Sequence, residues 1–105
     1  MASNLGLGNR FAGYPYQGQP CGFQQISAAT LASATALTVP GAATYCVIEV
    51  DTANVRWRDD GTSPTAAIGI QMYAGAPAIV FPGNMNTVKF ILVSGSPVLN
   101  VSYYY

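Results

Sequence analysis

An all-β fold, a single antiparallel β-sandwich or jelly roll behind an extended N-terminal arm, is predicted by three observations. Apolar residues recur at every second position in short runs; clusters of Gly, Pro, Asn and Ser break those runs at short intervals; and no run sustains a convincing helical period. A barrel is the alternative closure of the same strands. The length of 105 residues suits one domain. We divide it into an arm over 1–22 and a sandwich over 23–105.

Residues 1–22 combine Gly, Pro, Asn and Gln with Leu5, Leu7, Phe11, Tyr14 and Tyr16. Gly and Pro deny such a segment a fold of its own, while its aromatics are too many for a solvated tail. An arm laid over a neighbouring subunit satisfies both facts, with Leu5, Leu7, Arg10, Phe11, Tyr14 and Tyr16 as its contact residues. Gln24 to Leu31 then reads as a strand. The alanine-rich stretch from Ser27 to Leu37 would also suit a helix on propensity, but Thr30, Thr35 and Thr38 favour two short strands around a turn near Ser33.

Thr44 to Asp51 is the clearest strand, with Cys46, Ile48 and Val50 on one face. The short connection through Thr52 and Ala53 predicts an antiparallel hairpin with Asn54 to Arg58, which would set Glu49 or Asp51 across the ladder from Arg56 or Arg58. In that second strand Val55 and Trp57 point one way and the two arginines the other. Asp59, Asp60 and Gly61 supply a polar corner, and Pro64 ends ladder pairing.

Beyond it, Ala66 to Tyr73 offers Ala66, Ile68, Ile70 and Met72 to one side, with Gly69 marking a bulge or a close backbone approach. Ala78 to Phe81 is short and apolar. Asn86 to Val93 alternates Val88, Phe90 and Leu92 with polar and apolar neighbours, and the last strand, Val98 to Tyr105, alternates Leu99, Val101, Tyr103 and Tyr105 with Asn100 and Ser102. The terminal tyrosines, each an apolar body with a polar tip, suit a core edge or a subunit contact.

Charge is the most informative part of the composition. Only 8% of residues are charged while 50% are apolar, and four bases balance four acids. No long-range field steers nucleic acid to such a chain, and net charge does not keep it soluble. Its apolar surface therefore calls for cover by copies of itself or by a larger assembly. No apolar run is long enough for a membrane span, and the first residues lack the pattern of a signal peptide. Synthesis in a reducing cytoplasm is the expectation. Cys21 and Cys46 leave two readings open, a bridge or two free thiols.

The chain has no histidine, so the usual Ser/His/Asp and Cys/His nucleophile systems are excluded. Adjacent Asp59 and Asp60 point to opposite faces of an extended segment, which does not suit a pair of carboxylates converging on a glycosidic bond. Asp59, Asp60 and Thr62 lack the further oxygen ligands of a calcium loop, and no glycine-rich phosphate loop is present. No catalytic residue, cofactor or metal ligand is assigned. Trp57 is read first as core and second as a stacking platform for sugar or partner.

The run Val-Arg-Trp-Arg-Asp-Asp-Gly-Thr-Ser-Pro-Thr-Ala-Ala-Ile-Gly at 55–69, preceded by Leu37-Thr38-Val39-Pro40 and followed by an apolar strand and a tyrosine-rich end, resembles small virion structural proteins of tailed bacteriophages. The likeness covers roughly residues 25 to 105. It implies a β-sandwich that decorates or cements a capsid, as a homo-oligomer bound to major capsid protein or another virion protein in the particle, with neither nucleic acid nor membrane as partner. On the sandwich, Arg56, Arg58, Asp59, Asp60, Tyr103 and Tyr105 are the expected contact residues. A tail or fibre module recognising a host glycan is the alternative.

Overall fold

Residues 18–105 are described by the computed structural model, and they form eight strands and one helical turn. In chain order these are β1 (Pro20–Ile26), α1 (Ala28–Leu31), β2 (Thr35–Ala36), β3 (Tyr45–Asp51), β4 (Val55–Arg58), β5 (Ile70–Met72), β6 (Ile79–Phe81), β7 (Lys89–Leu92) and β8 (Val98–Tyr104). They build two antiparallel sheets, β1-β8-β3-β6 and β2-β7-β4-β5. Four of the pairings are nested: β1 with β8, β2 with β7, β3 with β6 and β4 with β5. That is one long hairpin rolled up on itself, the strand order of an eight-stranded jelly roll.

The roll explains why one expected hairpin does not form. β3 and β4 lie in different sheets, because β3 is already flanked by β8 and β6. Val50 at the end of β3 and Val55 at the start of β4 are both buried, so the connection carries the chain across the core. Thr52 makes that corner in a left-handed conformation (φ 72°), and its hydroxyl donates to the carbonyl of Ser96. Glu49 and Asp51 consequently do not meet the arginines. Both accept from Asn100 on β8, at 2.6 and 3.1 Å.

Three further boundaries differ from expectation. β1 starts at Pro20, inside the span assigned to the arm, because backbone bonds between Gln19 and Tyr105 in both directions continue its ladder with β8. It ends at Ile26, where the chain turns into α1. There Ser27 takes the N-cap position, and Ala28, Ala29 and Thr30 make one helical turn that buries Leu31 completely. The stretch Ala66–Gly69 pairs with no strand, since Thr65 and Ile68 close a turn on each other through both backbone bonds. At Gly69 (φ 142°) an added Cβ would stand 3.1 Å from the Trp57 carbonyl oxygen and 3.1 Å from Arg56 Cβ, the close approach its position announces.

Between the sheets lie Ile26, Leu31, Cys46, Ile48, Val50, Val55, Met72, Phe81, Met85, Val88, Phe90, Leu99, Val101 and Tyr103. Period-two alternation places most of them. In β8, for instance, Leu99, Val101 and Tyr103 face inward while Asn100 and Ser102 face out. Among the described residues no helix is long and apolar enough to cross a membrane.

Candidate interaction surface

The charged corner after β4 is turned mostly upon the protein itself. Arg56 leaves the outer face of β4 and donates through Nε to the carbonyl of Ala66 (3.1 Å) and through a terminal nitrogen to that of Gly69 (2.8 Å). It thereby pins the 65–69 turn, whose backbone has no ladder to join. Arg58 forms a two-point pair with Asp60, the one salt bridge among the described residues. That hydrogen bond, with a weaker one from the Thr62 amide, holds the Asp60 carboxyl below its ordinary pKa. Both partners are solvent-facing, so the pair contributes little to stability. Arg58 stands directly across the ladder from Lys89, a like-charge neighbour that the Asp60 pairing offsets. Asp59 accepts from the side-chain amide of Asn84 at 2.7 Å and so ties this corner to the loop after β6.

Two expected contact residues behave differently from one another. Tyr103 is 1% exposed and donates its hydroxyl proton to Gln24 Oε1 at 2.8 Å. It is a core residue and offers a partner nothing, because its place in the alternation of β8 points it inward. Tyr105, one pleat further on, is 54% exposed. Leu5, Leu7, Arg10, Phe11, Tyr14 and Tyr16 lie outside the described residues.

Trp57 belongs to the core side of β4. Its ring meets Phe81 edge to face at 5.0 Å, and Phe81 in turn meets Phe90 at 6.0 Å. Its indole N–H is buried and has no hydrogen-bond partner among the described residues, and the half-buried ring packs against the core. Cys21 and Cys46 are free. β8 separates their strands, and two strand spacings of about 4.8 Å put them beyond disulfide reach. Burial pushes the Cys46 thiol up to about 12, and burial with the neighbouring Cys46 pushes the Tyr103 hydroxyl to about 12. No three His, Cys, Asp or Glu side chains gather into a metal cluster among the described residues.

What sequence reasoning missed is where apolar surface is left over. Phe23, Ile68, Ile70, Tyr73, Ile79 and Tyr105 are exposed, and four of them lie on or beside β5 and β6. Those two strands are the edges of their respective sheets, and the Trp57–Phe81 contact places them on the same flank of the sandwich. By register Ile70 is level with inward Trp57 and Phe90, and Ile79 with inward Ile48, so both side chains belong to the inner layer where that layer runs out. Alternation announces an inward face; it does not say which strand will be last in its sheet.

Comparison with known proteins adds no relative: no family model, curated protein or solved structure matches the chain.

Proposed function

We propose that this chain is a structural protein of a tailed-bacteriophage virion, a capsid decoration or cement protein that binds major capsid protein and sister subunits and so stabilises the head. The observation that carries the reading is the open apolar flank at β5 and β6 on a chain without net charge. A lone monomer gains nothing from exposing Ile68, Ile70, Tyr73 and Ile79 together, whereas burying them against a neighbour contributes about 25 cal/mol per Å². The eight-stranded jelly roll adds support by analogy, since capsid domains are among the architectures built on it. Such a brace works by buried area and needs no reacting group.

The test uses particles assembled without this chain. Adding back the purified full chain should restore resistance of the heads to heat or osmotic shock and give stoichiometric occupancy by cryo-EM. A chain lacking residues 1–17, which leaves β1 intact, should bind at least tenfold more weakly. Heads equally robust with and without the chain would sink the proposal.

A further inference from the structure

We infer that the outer edge of β5 is an acceptor for a strand donated by residues 5–8 of a neighbouring copy. The inference rests on the assembly reading above and names the site through which copies join. Each sheet has two edges, and three of the four are blunted. β1 is covered by the segment after β2: Gln24 accepts from the Thr38 amide (3.1 Å) and donates to the Thr38 hydroxyl (3.3 Å). β2 is two residues long, and β6 is bracketed by Pro77 and Pro82. Short strands, prolines and covering loops are the usual protections of a sheet edge, and charge is another. β5 is also short, at three residues, but among the described residues it has no bracketing proline, no charge and no segment fastened over it. Among the described residues β4 is its single strand neighbour, no charged residue lies between Asp60 and Lys89, and Ile68, Ile70 and Tyr73 stand more than half exposed along it.

The donor is argued from the sequence outside the described residues. Leu5-Gly6-Leu7-Gly8 repeats an apolar side chain every second residue, the spacing of Ile68 and Ile70. Its glycines put no side chain on the opposite face. Pro15 would remove one ladder donor from Tyr14–Tyr16, which makes the leucines the better candidate for the pairing segment. The ten residues between Leu7 and Gly18 reach up to about 35 Å.

The exit of the chain is fixed. The Gly18 amide donates to the Tyr45 hydroxyl at 2.8 Å, and an added Cβ there would fall 2.6 Å from the Tyr105 carbonyl oxygen. That exit continues β1, on the flank opposite β5. A copy that donates from one flank and accepts on the other joins its neighbours head to tail, and such a contact closes into a ring or runs on as a filament.

Sedimentation velocity on full-length chains tests this without any capsid. The parent should self-associate in the micromolar range. A donor-blocked chain, Leu5→Asp with Leu7→Asp, and an acceptor-blocked chain, Ile70→Lys, should each weaken association at least tenfold and sediment as monomers. Mixed in equal amounts they should form a 1:1 complex, because one retains a working edge and the other a working strand. A monomeric parent overturns the inference. So does a mixture that stays monomeric, or a donor-blocked chain that associates as the parent does, which would mean β5 pairing with a second β5. Ile70→Thr, with circular dichroism on every variant, serves as the acceptor variant if the lysine disturbs the fold. Complementation alongside failure to bind heads would sink the capsid reading alone.

Discussion

The two flanks of the sandwich end their sheets in opposite ways. On the β1/β2 flank a single side chain, Gln24, gathers the Thr38 amide, the Thr38 hydroxyl and the Tyr103 hydroxyl, so the edge strand, the loop and the last core tyrosine are fastened together. On the β5/β6 flank inward Met72 and Phe81 are buried, but Ile70 and Ile79 stand exposed at the margin of the inner layer. Polar side chains here do fasten loops, as Arg56 does for the 65–69 turn and Asp59 with Asn84 for the next one, but none of those bonds closes the edge of β5. This jelly roll therefore fastens one flank with its own polar side chains and leaves apolar side chains exposed at the margin of the other.

The largest expected effect tests how deep the open flank goes. Phe81 is 2% exposed on β6 and touches both Trp57 and Phe90. Phe81→Ala should cost about 3–5 kcal/mol in urea unfolding, as a fully packed core position would. A loss below about 1 kcal/mol would mean that the whole flank is loosely packed, and the contrast with its margin would disappear. Next in size is the closed flank. Gln24→Ala removes the acceptor of a buried tyrosine hydroxyl and two bonds to Thr38, and should cost about 1–3 kcal/mol. Amide exchange should rise at Thr38 and in β1 before it rises in β3.

Much of this was legible in the sequence, and the failures have a common cause. The alternation of Cys46, Ile48 and Val50, of Val88 and Phe90, and of Leu99 and Val101 located strands and inward faces, and the jelly roll itself was predicted. Read locally, however, the two-residue link after Asp51 looks like a hairpin. Within the roll all consecutive strands except β4 and β5 change sheets, so partners are set by nesting across the whole chain. Glu49, Asp51, Arg56 and Arg58 were matched across an expected hairpin, whereas the two acids bond Asn100, 49 to 51 residues away, Arg56 bonds the carbonyls of the following turn, and Arg58 pairs with Asp60. Tyr103 and Tyr105 carry the same alternation signal. Tyr103 lies between the sheets, whereas Tyr105, at the last rung of the same ladder, is exposed.

Alkaline pH sharpens the comparison from the closed side. Tyr103 and Cys46 are cross-strand neighbours, both held protonated to about 12. Each binds its proton more tightly folded than unfolded, so its stabilising contribution is whole below the ordinary thiol and phenol range and is lost as pH rises from about 9 through 12. Urea midpoints should be level near neutrality and fall steadily above pH 9. Cys46→Ala, which removes one titrating group, should flatten part of that fall. A midpoint unchanged to pH 11.5 would contradict the burial of both groups.

The smallest effect belongs to the margin of the open flank. Ile70 is 57% exposed although its register places it level with Trp57 and Phe90, so most of its apolar area is in contact with water in the isolated chain. Ile70→Thr keeps the β-branched shape that an edge strand favours and removes little buried area. It should therefore shift unfolding by no more than about 0.5 kcal/mol at concentrations where the chain is monomeric. In the proposed assembly the same substitution should become costly only as concentration rises, because there a side chain idle in one copy would gain its burial from the next. A loss above about 1.5 kcal/mol in the dilute chain would show Ile70 already packed within its own molecule, and the two flanks would then differ in detail but not in kind.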